Sequence, residues 1–113
     1  ESGDSISQYF GNGGGDNTPY IGVSSPATPR NVWNIMCATR DTVDFKWYIN
    51  GALASTTANP YGILTNSTSN ILIGNGYAGL WQGDMAVVMA YTRALSANEV
   101  YQNFQALRGR YGL

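Results

Sequence analysis

The side chains on which most enzymes rely are scarce in this sequence. It has no histidine, which removes His-dependent triads, imidazole general bases and imidazole metal ligands. Its one cysteine, Cys37, can form neither an internal disulfide nor a thiolate zinc site. Placed inside a strand, it reads as a small buried residue. The glycines of residues 11–15 lack the Lys-Ser/Thr pair and the strand-to-helix setting of a phosphate loop. What remains is aromatic and amide chemistry. A sugar site needs a flat aromatic platform beside hydrogen-bonding groups, because an aromatic ring brings large area at low entropy cost. Trp33, Trp47 and Trp81 fall on inward strand positions and are assigned to the core. Tyr20, Tyr61 and Tyr77 fall in loops beside Gly, Pro or Asn. Tyr61, Asn75 and Tyr77 are therefore the candidate ligand-binding residues, against the plainer reading that loop tyrosines are packing lids. No catalytic residue and no metal ligand is assigned.

Composition narrows the classes further. The chain has 113 residues and a formal net charge of −1, with charged residues at 12%, about half the usual quarter. Without a basic excess, nucleic acid is not an expected partner. No apolar run reaches the 18 residues of a membrane span, and no signal-peptide pattern is visible. The chain begins at Glu1 without Met, and is read as processed, trimmed or part of something longer. Polarity comes from 11 Asn, 9 Ser, 9 Thr and 14 Gly, which favour turns and short strands over long helices.

The elements follow from periodicity. Ile6, Gln8 and Phe10 suit a first strand and Tyr20–Val23 a second, with the glycine-rich stretch between them a turn or loop. Val32–Arg40 alternates as a strand covered on both faces. After Asp41-Thr42, Val43, Phe45, Trp47 and Ile49 give one apolar face at period two, the strongest strand signal in the chain. Asn50-Gly51 supplies the two positive-φ positions of a type I′ hairpin, so Ala52–Thr57 should return antiparallel with Leu53 inward. Ile71–Gly74 is a short buried strand, and the apolar run Met85–Tyr91 a central one covered on both faces. Ser96-Ala97-Asn98-Glu99 is a capping box. Val100, Phe104 and Leu107 then form one apolar stripe, placing a helix at Ala97–Arg108 with Gly109 as its left-handed C′ residue.

Four pieces carry a family resemblance: Trp33–Asp41, Lys46–Gly51, Ile71–Gly74, and Trp81–Met85 followed by Ala90–Val100 with its Tyr-x-Arg-Ala-Leu-Ser-x-x-Glu run. In this order they resemble the laminin-G-like branch of the concanavalin A-like lectin/glucanase superfamily, over residues 31–107. The ending, Tyr101–Leu113, is similar to phage and marine-virus members. The resemblance implies an all-β, antiparallel, jelly-roll-like β-sandwich with one C-terminal α-helix. The whole chain is read as one such domain: variable N-terminal strands and loops at 1–30, a sheet core at 31–95 and the helix at 96–108. A full jelly roll of this kind has roughly 150–200 residues. The chain thus resembles the C-terminal part, which leaves three readings: preceding strands, a compact variant, or strands supplied by a partner chain.

The resemblance also raises two chemistries. Glucanases pair two carboxyls about 5–5.5 Å apart. The two Glu here are Glu1 and the cap residue Glu99, while Asp41 and Asp44 flank a turn, so an enzyme is not expected. Laminin-G-like domains often hold a structural calcium on loop oxygens. Asp41, Asp84, Asn75 and Asn50 could donate, yet no spacing singles them out, so no cofactor is assigned. The sequon Asn66-Ser67-Thr68 is read as unmodified. The expected function is a non-enzymatic structural or interaction module, a decoration or appendage protein of a phage virion. The alternative is a stand-alone carbohydrate-binding or adhesion module. Its partners would be other subunits or glycans, with no membrane insertion, on a virion or at an extracellular or cell surface.

Overall fold

Strand Asp44–Ile49 is the centre of the molecule, because its alternating residues point to two different layers. The computed structural model describes residues 4–11, 20–60, 62, 72–76 and 79–113. In chain order the elements are β1 (Ser7–Gly11), β2 (Tyr20–Ser24), β3 (Met36–Arg40), β4 (Asp44–Ile49), β5 (Ala52–Ala58), β6 (Asn75–Gly76), β7 (Gly79–Leu80) and α1 (Ala97–Arg108). All strand pairs are antiparallel, in sheets β1-β2, β3-β4-β5 and β6-β7. Phe45 and Trp47 face β1-β2, where they pack with Val23, Ile6, Met36 and Ala38. The Trp47 indole donates to the Val23 carbonyl at 3.4 Å. Tyr48 faces the opposite way and packs with Leu95, Val100 and Cys37. Both faces of β4 are thus covered, one by strands and one by the approach to α1.

The turns follow the local chemistry. Asn50 and Gly51 have φ of 50° and 80°, as a type I′ hairpin requires. Asp41 closes the β3–β4 turn: its Oδ1 accepts from the amides of Val43 and Asp44 at 2.8 and 2.7 Å. That turn takes Val43 out of the strand and leaves it 67% exposed, where alternation alone placed it inward. β5 is an edge strand with a bulge at Ala54, since Trp47 pairs with Ser55 and Tyr48 with Leu53. Leu53 is exposed there rather than inward.

The helix starts as the capping box demands. The Glu99 amide donates to Ser96 Oγ at 3.3 Å, and the Ser96 amide to Glu99 Oε2 at 2.8 Å. Arg93 adds a two-pronged pair to the same carboxylate at 2.6 and 2.9 Å. At the other end Gly109 keeps a helical φ of −63°, and the left-handed residue is Gly112 at +70°. Arg108 holds that turn by donating to the Leu113 carbonyl at 2.9 Å.

Arg93 and the Ser96 amide together hold the Glu99 carboxyl down to about 2 from 4.5. A depressed acid stabilises the fold above its unfolded value and loses that contribution as pH falls through the folded one. The thermal midpoint should therefore drop between pH 4.5 and 2 by more in the wild type than in Glu99→Gln, with melts followed at 222 nm. Equal acid slopes would show that this carboxylate does not couple to folding.

Three expectations fail outside the β3-β4-β5 sheet. Met85–Tyr91 forms no strand. Its large side chains are 43–56% exposed, and among the described residues nothing hydrogen-bonds its backbone over 85–90. A central strand needs a neighbour on each side and a layer over each face, and the described residues supply neither. Leu72 and Ile73 are likewise exposed rather than buried. Trp33 and Trp81 are exposed at 43% and 45%. Trp33 precedes β3 in a stretch broken by Asn31 at φ 60°, and Trp81 follows the two-residue β7.

Candidate functional site

The hairpin turn that closes β4 and β5 also builds one wall of a cleft. Asn50 donates its amide N–H to the Ile35 carbonyl at 2.8 Å and accepts from the Ile35 amide through Oδ1 at 2.9 Å. Its Nδ2 reaches Asn34 Oδ1 at 3.4 Å, and Asn34 Nδ2 donates to the carbonyls of Pro29 and Val32. This chain of amides fixes the segment before β3 and turns Trp33 outward. Tyr111, in the turn after α1, meets the Trp33 ring at 5.3 Å between centroids and a 46° tilt. Beside this pair lies a cleft of about 500 Å³ that both rings line, with Val32, Asn34, Asn50 and Leu113 also on its walls.

The cleft offers an aromatic surface, side-chain amides and backbone carbonyls. A sugar ring presents an apolar face for stacking and hydroxyls for just such partners. The sequence points to this chemistry but places it elsewhere. Tyr61 and Tyr77 lie outside the described residues, as does the side chain of Tyr20. Asn75 is exposed at the start of β6, paired through its backbone with Leu80. The residues missed are Trp33 and Tyr111. Pro29-Arg30-Asn31 is a turn composition just ahead of Val32-Trp33 and signals that the strand starts later. Nothing in the sequence couples positions 33 and 111.

Several titratable groups are engaged in local structure. Asp41 is held below the usual carboxylate range by the amides of Asp44 and Val43. Lys46 pairs with Asp44 at 3.5 Å. Arg40 donates to the Gly62 carbonyl at 2.8 Å, and Asn59 Nδ2 bridges the carbonyls of Asp41 and Gly62 at 2.7 and 2.9 Å. Burial raises the Cys37 thiol, which favours its protonated form. The four calcium donors do not gather: Asp41 and Asn50 bracket six-residue β4, whose ends lie about 17 Å apart at about 3.3 Å per residue. The donor set does not fit one cation.

A second feature is the uncovered apolar surface. Leu80, Trp81, Met85, Val87, Val88 and Met89 are all exposed. The Met85 and Trp81 side chains flank Gly74, whose carbonyl accepts from the Trp81 amide at 2.8 Å. At the far end the Tyr91 hydroxyl accepts from Asn103 Nδ2 of α1 at 3.0 Å.

The sequence profile of the Concanavalin A-like lectin/glucanases superfamily matches residues 1–101. No curated protein matches the chain. Among solved structures, a crystal structure of an S-layer domain-containing protein (residues 221–444) from Clostridium thermocellum ATCC 27405 is similar at a TM-score of 0.58 and 23% identity. The match covers 75% of this chain and 45% of that one, so the chain spans less than half the length of that neighbour.

Proposed function

This chain belongs to the concanavalin A-like lectin/glucanases superfamily, and we propose that it acts there as a non-enzymatic interaction module that holds other subunits of an extracellular or surface assembly. The observation that carries this reading is the apolar surface left bare at residues 80–91, where Leu80, Trp81, Met85, Val87, Val88 and Met89 are all exposed. Monomers in water rarely keep such a patch bare. The fold is antiparallel β with one helix, a lectin-like sandwich, and an S-layer domain protein shares it. At its finest the proposal is a decoration or appendage protein on a phage particle, the role expected from the sequence. Binding replaces catalysis in this reading, because Glu99 is committed to the helix cap and Asp41 to a turn.

A carbohydrate-binding or adhesion module is the second reading, and the Trp33–Tyr111 cleft favours it. Stacking on an aromatic ring contributes about 1 kcal/mol or more beyond area, and 1.4 kcal/mol is tenfold in affinity. Any glycan that the wild type binds on an array should then bind about tenfold more weakly to Trp33→Ala. Tyr61, Asn75 and Tyr77 are the proposed second contact set, read out by Tyr77→Ala on the same array. No glycan binding, with co-purification in fixed ratio on particles, supports the assembly role. Glycan binding that survives Trp33→Ala removes the cleft from the account. Hydrolysis of a β-glucan would overturn the non-enzymatic reading itself.

A further inference from the structure

We propose that Met85–Tyr91 is a self-docking strand, which pairs antiparallel across a two-fold axis with the same segment of a second copy of this chain. The inference rests on the assembly reading above and names its first partner. The sequence Met-Ala-Val-Val-Met-Ala-Tyr is uncharged and β-prone at its centre. Its backbone over 85–90 is without a hydrogen-bond partner among the described residues, and every side chain of the segment is exposed. Both ends are tethered, Met85 beside Trp81 and Gly74, Tyr91 to Asn103 of the helix. Tethering presents the strand at small entropic cost and leaves its donors and acceptors free. Those are the properties of an edge that another chain completes.

A second copy suits this edge in three ways. Centred on Val88, antiparallel pairing sets Val88 opposite Val88, Val87 opposite Met89, Ala86 opposite Ala90 and Met85 opposite Tyr91. Every cross-strand pair is apolar, and two-fold symmetry makes the patch its own complement. The flanking charges differ in sign, Asp84 before the segment and, after it, Arg93, whose guanidinium also holds Glu99. Antiparallel pairing therefore brings unlike charges to each end, whereas parallel pairing would bring like to like. The apolar surface also reaches past the strand. Leu80 and Trp81, beside the strand, extend the apolar contact beyond the ribbon.

The test is solution mass by light scattering after size exclusion, over a dilution series. The wild type should run at twice 12.2 kDa and fall towards 12.2 kDa on dilution. Val88→Lys places two ammonium groups opposite each other on the axis, and Val88→Glu two carboxylates. Each alone should run at 12.2 kDa with an unchanged far-UV spectrum, because Val88 is exposed in the single chain. Mixed in equal amounts, the two variants should restore the doubled mass. A wild type that is monomeric at every concentration overturns the inference. So does a Val88→Lys variant that keeps the doubled mass, or a mixture that fails to pair. A monomeric wild type that still co-purifies with particles in fixed ratio overturns self-docking alone and leaves the interaction module standing. Loss of both removes both.

Discussion

Replacing Phe45 with alanine should destabilise the chain by about 3–5 kcal/mol. Phe45 is 1% exposed and sits on β4, the strand that both layers share. Its ring packs with Val23 and Trp47 on the β1-β2 side, and the Arg40 guanidinium lies 5.9 Å from its centre. Deleting the ring removes that transfer energy and leaves a cavity that hydrogen-bonded strands cannot collapse into. Small domains are stable by only about 5–15 kcal/mol. The loss should therefore lower the thermal midpoint by on the order of 20 °C, or abolish a cooperative transition. Val43→Ala is the matched control. Both residues belong to one alternating series in the sequence, but Val43 is 67% exposed and its change should stay within about 0.5 kcal/mol. Similar losses at the two positions would mean that Val43 is buried in solution and that the turn at Asp41 is misplaced.

That contrast also shows what the sequence can and cannot carry. Features set by a few adjacent residues are legible. Ser96 and Glu99 announce the helix start, Asn50-Gly51 the hairpin, and the alternation of Phe45, Trp47 and Ile49 the central strand. Each rests on interactions that span at most a turn or a pleat. Burial is less legible, because it depends on what lies across the fold. Trp33 looks inward on a strand drawn back to Val32, yet the strand begins at Met36 and the ring turns to Tyr111, 78 positions on. Met85–Tyr91 looks buried for a sound reason, since seven apolar residues do call for cover. The described residues do not provide it, so the apolar run becomes an exposed surface, and the pattern that marks a core strand marks a bare apolar patch instead. The same logic governs the cleft. Its amide wall is local to Asn34 and Asn50, but its aromatic wall needs the helix to deliver Tyr111.

Gly51→Ala should destabilise by about 2–4 kcal/mol and open the cleft at the same time. Two costs combine. Gly51 has φ of +80°, a backbone state that costs an L-residue about 1 kcal/mol or more. A Cβ there would also lie 2.7 Å from Phe104 Cδ1 and 2.9 Å from its Cβ and Cγ. Contacts at the root of the side chain cannot be relieved by rotating the ring, so α1 itself must move off the hairpin. Phe104→Ala separates the two effects. In that background Gly51→Ala should cost only about 1 kcal/mol, and the remainder appears as coupling in a double-mutant cycle. Equal costs in both backgrounds would place the whole effect in the backbone and leave the helix where it is. Because Tyr111 follows α1, displacement of the helix should also part Tyr111 from Trp33, and Trp33 fluorescence should shift to the red in Gly51→Ala. Trp47 and Trp81 also emit, so the difference is read against Trp33→Phe in each background. Hairpin, helix and cleft are then one mechanical unit: the glycine that lets β4 turn into β5 also seats the helix whose far end supplies half of the aromatic surface.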